Sequence, residues 1–303
     1  MGKDLAEQFP AARMVFEQAD AILGFPLSTL CWEGPQQDLV RTESCQPALY
    51  VTSFAALAAL ESELQSRNVK LVPAASAGLS LGEYTALAAA GVFSFADGLK
   101  LVQLRGQAME EASRMTQGTM ASVVGLELGL VEAVCAHSGA QVANINAPGQ
   151  VVISGSVETV KAASEQAKEK GAKRVIPLEV GGAFHSRLME PAAARLEKAL
   201  QSTQMGELRC RVVSNVTGSF YSEPGQAKTL LAQQLTHPVR WESCMQALLK
   251  AGIRNFLELG AGTVLKGLLR KIDAEAQVIS IGTADQVREA AENEVLRPQA
   301  ASG

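Results

Sequence analysis

Histidine is scarce in this chain, with three in 303 residues, and aromatic residues make up only 5%. Cysteine is thin as well. Cys31, Cys45, Cys135, Cys210 and Cys244 are odd in number, widely spaced and without a C-x-x-C pair, which argues against a disulfide framework and against a zinc site. That usage fits a reducing compartment, the cytoplasm, with an organellar matrix left open. An excess of one charge is also missing. Lys and Arg (27) nearly balance Asp and Glu (31), leaving a formal charge of -4 and no basic field for nucleic acid or anionic lipid. Long apolar runs are absent too: the stretches at 71–77 and 86–95 are interrupted by Pro or Gly and fall short of the roughly 18–20 residues that span a bilayer. The opening MGKDLAEQFP has no secretory layout. With 47% hydrophobic residues, 19% charged and 11 prolines, the composition excludes a disordered or collagenous chain, and the length suffices to bury a sizeable core.

Periodicity then orders the chain. Leu5, Phe9, Met14, Val15, Ala19 and Ile22 stand at helical spacing, predicting one helix over 3–24 that stops at Gly24 and Pro26. Ala- and Leu-rich 46–66 reads as a buried helix entered through Gln46-Pro47. A strand over 70–77, a tight turn at Gly78 and a helix from Leu81 to about Ala90 follow. Between 118 and 180 the pattern is strand, helix, two strands around Pro148-Gly149, helix, strand. That βαββαβ order is a small ferredoxin-like unit inserted in a larger α/β body. Further on, helices are expected at 188–201, 225–235 and 241–251, with strands at 211–215 and 255–259. Residues 1–117 and 187–284 would make the body, 118–186 the insert, and the polar stretch 285–303 a frayed tail.

Chemistry concentrates at a few positions. Gly78-Leu79-Ser80-Leu81-Gly82 fits G-x-S-x-G between a predicted strand and a predicted helix, where the serine Oγ would project from a sharp turn. The Leu81 N–H, at the helix N-terminus, could then stabilise an oxyanion. A helix-capping serine is the plainer alternative. A serine nucleophile needs a base, and only His137, His185 and His237 are on offer. His137 closes a helix, and His237 precedes Pro238 in a loop. His185 lies where the insert returns to the body, the natural place for a cleft, as base or as a hydrogen-bonded structural residue. No acid stands where a triad would want one, except Glu258, so a carbonyl or amide could orient the imidazole instead. Arg105 is a lone cation on an apolar stretch, either ion-paired within the structure or a fork for a carboxylate. Gly260-Ala261-Gly262 fails the G-x-G-x-x-G fingerprint, because the next glycine is Gly267, and reads as a tight strand-to-helix turn. No cofactor or metal is expected.

Together these segments resemble the malonyl-CoA:acyl-carrier-protein transacylase family, from Met1 to about Ile281. The likeness is carried by GLSLGEYTAL (78–87), LVQLRGQAM (101–109), NAPGQVVISG (146–155), GAFHSRLM (182–189), QQLTHPVRW (233–241) and ELGAGTVLKGL (258–268). It implies an α/β-hydrolase-like body with a ferredoxin-like insert. It further implies Ser80 as acylated nucleophile, His185 as its base, Arg105 as the salt-bridge partner of the malonyl carboxylate, and Gln234 as the carbonyl orienting the histidine. Phe184 resembles the family's malonyl-selective pattern. Malonyl-CoA and acyl carrier protein are the implied partners, and nothing demands more than a monomer. Two departures stand out. Leu79 replaces the family's usual His before the nucleophile, and the resemblance places Met1-Gly2 in the turn after the family's first strand and its G-Q-G-x-Q loop, the source of a second oxyanion donor, so that this strand and loop are expected to be missing from the chain. A carrier-protein thioester hydrolase and a non-catalytic carrier-binding relative remain alternatives, and Lys168, Lys170, Lys173 and Arg174 could meet an acidic carrier or merely solvate a helix face.

Overall fold

The computed structural model describes residues 1–296. Pro10 has no N–H to carry a helix through, so the helix expected over 3–24 is two, Lys3–Gln8 and Pro10–Leu23, with Phe9 extended between them. The buried helix runs Thr42–Ser66, starting a turn before Gln46 with Pro47 inside it, and buries Tyr50, Val51, Ala55 and Leu60 completely. It packs on the helices Pro10–Leu23 and Phe95–Met115, and these three carry much of the main core.

Among the described residues eight strands fall into three sheets: β1 (Ala75–Ser76), β2 (Gly118–Val124), β3 (Gln141–Ala147), β4 (Gln150–Ser156), β5 (Arg174–Pro177), β6 (Arg211–Val212), β7 (Asn255–Leu259) and β8 (Gln277–Ile281). In the body, β1 pairs in parallel with β6, and β7 in parallel with β8, in register from Asn255 opposite Gln277 to Leu259 opposite Ile281. The strands expected over 70–77 and 211–215 are thus much shorter. After Val213 the chain leaves the pair for a turn closed by Gly218 N–H donating to Ser214 O.

The antiparallel sheet has the order β3-β4-β2-β5, the ferredoxin-like arrangement of a βαββαβ unit. Its period-two alternation sorts the faces. Ala121, Val123, Val151 and Ile153 pack under the helices Leu128–Ser138 and Val157–Glu169, while Met120, Ala143 and Val152 point the other way and meet Phe184. Main-chain bonds from Ile145 N–H to Val239 O and from Val239 N–H to Ala143 O tie β3 to the segment that enters the helix Trp241–Lys250.

The expected frayed tail over 285–303 is corrected for its first part. Ala284–Glu292 is a helix, capped by Thr283 Oγ1 accepting from Gln286 N–H, and it buries Ala284, Val287, Ala290 and Ala291. That small-residue stripe, spaced for one helical face, seats it against the helix Thr42–Ser66 and overrides the polar composition. Residues 297–303 lie outside the described residues.

Candidate active site

The serine stands on a strained turn. Ser80 has φ 53° and ψ -104°, a region L-residues rarely occupy, ahead of the helix Leu81–Ala89. A side chain at Gly78 would put Cβ 2.0 Å from the main chain of Gly82, so that position admits only glycine, whereas a Cβ on Gly82 would meet open space. Two amides hold the turn. Ser80 N–H donates to Asn215 Oδ1 at 2.6 Å, Asn215 Nδ2 donates to Gly78 O at 2.9 Å, and Gln234 Nε2 donates to Ser80 O at 2.9 Å. The serine is thus no side-chain cap of its helix. Among the described residues the Leu81 N–H donates to no protein group, which leaves it free for an oxyanion beside Oγ.

His185 meets Ser80 with Nε2 2.8 Å from Oγ. Its Nδ1 lies 2.7 Å from the main-chain oxygen of Gln234, an obligate acceptor, so the proton sits on Nδ1 and the Nε2 lone pair faces the serine. Burial first, and the charge of Arg105 second, push the imidazole down to about 4, opposed by the Gln234 bond. The ring is neutral near pH 7 and ready to accept a proton. His137 and His237 are exposed and far from this chemistry by role: the first ends a helix, and the second bonds Gln233 O. Glu258 is no orienting acid either. Its carboxylate accepts from the Leu265 and Lys266 N–H groups and from Ser280 Oγ, capping the helix Val264–Ile272.

Arg105 projects from the helix Phe95–Met115 and is 1% exposed. Nη1 donates to Gln46 Oε1 at 2.6 Å, and Nη2 to Ser80 Oγ at 2.9 Å and to Gln234 Oε1 at 3.0 Å. The guanidinium also lies over the Tyr84 ring, 5.4 Å from its centroid. None of the ion pairs among the described residues involves Arg105, and Nε has no partner. Burial lowers its pKa, opposed by Tyr84 and by the charge of Glu83, which lies beyond ion-pair distance; the acceptors bonded to the guanidinium are all neutral. The ion-paired structural alternative therefore fails, and a buried cation poised beside the nucleophile remains. Phe184, half-buried, packs against the main core and against Met120, Ala143 and Val152, next to the base.

All six expected positions, Ser80, Leu81, Arg105, Phe184, His185 and Gln234, come together here, but four participants were not foreseen. In sequence Gln46 marks only a helix entrance. Glu83, Asn215 and Tyr221 form a buried network with Gln234 beneath the serine. A signal existed for two of them. Glu83 follows Ser80 by one helical step of three, and Asn215 ends a predicted strand, the edge of an α/β sheet where ligands are bound.

A serine on a strand–turn–helix elbow, a neutral histidine with its tautomer set by a carbonyl, and a helix N–H beside the nucleophile define a serine acyl-transfer site. The chain belongs to the acyl transferase domain family, whose model matches residues 1–291. It is 41% identical over 292 residues, 95% of this chain and 90% of the relative, to the malonyl CoA-acyl carrier protein transacylase of Bacillus subtilis strain 168. Among solved structures it resembles the acyl-carrier-protein-S-malonyltransferase of Bartonella henselae, with TM-score 0.90 and 39% identity over 98% of this chain and 94% of the other. A malonyl-transacylase solved with a type II polyketide-synthase acyl-carrier protein gives TM-score 0.91 and 35% identity, covering 97% and 95%.

Proposed function

We propose that this enzyme transfers malonyl from malonyl-CoA to the phosphopantetheine thiol of an acyl carrier protein through a malonyl-Ser80 intermediate. One observation carries the choice of acyl group: Arg105 is buried, paired with no carboxylate among the described residues, and 2.9 Å from Ser80 Oγ. A buried cation left unpaired is costly, and a substrate carboxylate supplies the missing anion. A hydrolase of neutral acyl chains would gain nothing from it.

In the first half-reaction Ser80 Oγ gives its proton to His185 Nε2 and attacks the thioester carbonyl. The oxyanion accepts from the Leu81 N–H, and Arg105, held by Gln46 and Gln234, gives up its bond to Oγ and donates to the free carboxylate. His185 returns the proton to the departing CoA sulfur. In the second half the carrier thiol gives its proton to His185, its sulfur attacks the acyl carbon, and Ser80 Oγ leaves reprotonated. Phe184 crowds the space beside His185 against acyl groups with an α-substituent. The body of 1–117 and 187–284 with the insert of 118–186 is our reading of the two halves that enclose the cleft. Five free cysteines support a reducing, cytoplasmic setting; no helix among the described residues is long and apolar enough to cross a membrane. Both fatty-acid and polyketide carriers present the same thiol.

Intact mass after mixing with malonyl-CoA tests this directly. A malonyl adduct that is absent from Ser80→Ala, and is lost again on adding holo acyl carrier protein with malonyl appearing on the carrier, is expected. An unmodified wild-type chain, or an adduct that persists in Ser80→Ala, would overturn the mechanism.

A further inference from the structure

Among the described residues Glu83 is the only fully buried carboxylate, and the mechanism above does not use it. It has no cation within ion-pair distance. Instead it is surrounded by neutral donors: Oε1 accepts from the Tyr221 hydroxyl at 2.5 Å, and Oε2 accepts from Gln234 Nε2 at 2.6 Å and from the Asn215 N–H at 3.2 Å. A carboxylate kept in such a place is unfavourable for stability when compared with an apolar residue, and a charge meant only to favour the helix N-terminus could face solvent. Its direction inward, toward Gln234, needs another account.

The amide of Gln234 supplies it. Both of its N–H donors are committed, one to Ser80 O and one to Glu83 Oε2, and neither of those atoms can donate in return when the carboxyl is ionised. The amide oxygen is thereby turned to the opposite side, where Arg105 Nη2 donates to it at 3.0 Å. Flipping the amide would set its N–H groups against a guanidinium and its oxygen against two acceptors, an arrangement with every contact repulsive. With Gln46 Oε1 fixing Nη1, the guanidinium is pinned at both ends across Ser80 Oγ.

We propose that Glu83 is a positioning residue for malonyl transfer: it locks the Gln234 amide with its oxygen toward Arg105, and so holds the guanidinium where the substrate carboxylate must meet it. The inference rests on the malonyl-transfer reading. It predicts that the carboxylate-dependent part of the reaction relies on Glu83 more than the reactivity of the serine does. Glutamine at position 83 keeps the lock, because its oxygen can accept from Gln234 and Asn215 while its N–H groups face Tyr221 Oη.

The test compares two reactions of Ser80 in the wild type, Glu83→Ala and Glu83→Gln. One is malonylation by malonyl-CoA. The other is phosphonylation by a small neutral fluorophosphonate, which needs Ser80 and His185 but offers Arg105 no carboxylate. For Glu83→Ala, malonylation is expected to fall about 10²-fold and phosphonylation less than about tenfold, the range typical of removing a residue that orients a reacting group from behind. Glu83→Gln should restore malonylation to within about tenfold of the wild type. If Glu83→Ala does not fold, Glu83→Asp, which stays acidic but withdraws its oxygen from Gln234, should show the same split. Equal losses in both reactions, or Glu83→Gln as impaired in malonylation as Glu83→Ala, would reduce Glu83 to a structural role and overturn the proposal. A wild type that is phosphonylated but never malonylated would instead defeat the malonyl-transfer reading and this inference with it.

Discussion

Replacing Arg105 by Met should turn a malonyl-selective enzyme into a weakly selective one, and the structure sets the scale. The substitution keeps most of the apolar stem but removes the fork. What is lost with malonyl is a pair of charge-assisted hydrogen bonds between a carboxylate and a buried guanidinium, each worth about 1.5–3 kcal/mol. Their sum, about 3–6 kcal/mol at about 1.36 kcal/mol per tenfold in rate, corresponds to a loss of about 10²–10⁴ in kcat/KM for malonyl-CoA. Other consequences fall on every acyl donor alike. Gln46 Oε1 and Gln234 Oε1 each lose a donor, and Ser80 Oγ loses the bond from Nη2. Acetyl-CoA reports that common cost, since it has no carboxylate to lose. Single-turnover acylation of Ser80, followed by intact mass for both donors, therefore isolates the carboxylate contribution as the ratio of the two rates. Malonyl should fall at least about 10²-fold further than acetyl. If both donors lose the same factor, Arg105 is not the carboxylate partner, and the argument from its missing counter-ion is wrong.

Acylation should remain rapid well below pH 6.5 and fail only as the pH nears about 4, because burial and Arg105 depress the His185 imidazole to that value. Linkage gives the matching stability effect: the unfolded histidine takes up its proton near 6.5 while the folded one excludes it, so this contribution is complete above 6.5 and is lost as pH falls toward 4. Burial raises the Glu83 carboxyl to about 7, so the profile is best taken in Glu83→Gln, and a midpoint near 6.5 there would contradict the buried, neutral base. Phe184→Ala should open the space beside His185 and raise the rate with methylmalonyl-CoA relative to malonyl-CoA by about tenfold or more, the usual worth of one methyl group's room. An unchanged ratio by competition assay would remove Phe184 from the selectivity account.

Local features of the chain were readable where the physics is local. The turn at 78–82 is dictated by neighbours in sequence, because Gly78 must pass within contact of the Gly82 main chain, and so the nucleophile and its helix were legible. Short apolar runs in Gly118–Val124 and Gln150–Ser156, bounded by turn residues and followed by a helix-period stripe in Val157–Glu169, announced the βαββαβ unit for the same reason. Alternation shows which residues share a face, and the helix Ala284–Glu292 escaped notice only because its buried stripe is built largely of alanine within a polar stretch.

The chemistry of the site belongs to the tertiary structure. Arg105 in isolation is equally consistent with an ion pair, and its meaning came from what does not stand beside it once the chain is folded. Its partners Gln46 and Gln234 lie 59 and 129 positions away, and Asn215, which holds the nucleophile's N–H, lies 135 away. Contacts of that separation leave no periodic trace, since a neutral amide at one position looks the same in sequence whether its carbonyl meets solvent or a guanidinium. Sequence alone determined the nucleophile turn, the scarcity of possible bases and the layered α/β plan, all of them set by short-range sterics and burial periodicity. Which histidine is the base, why it is neutral, and why a buried arginine waits without a counter-ion were decided by folding, because desolvation and hydrogen-bond geometry exist only after distant segments have met.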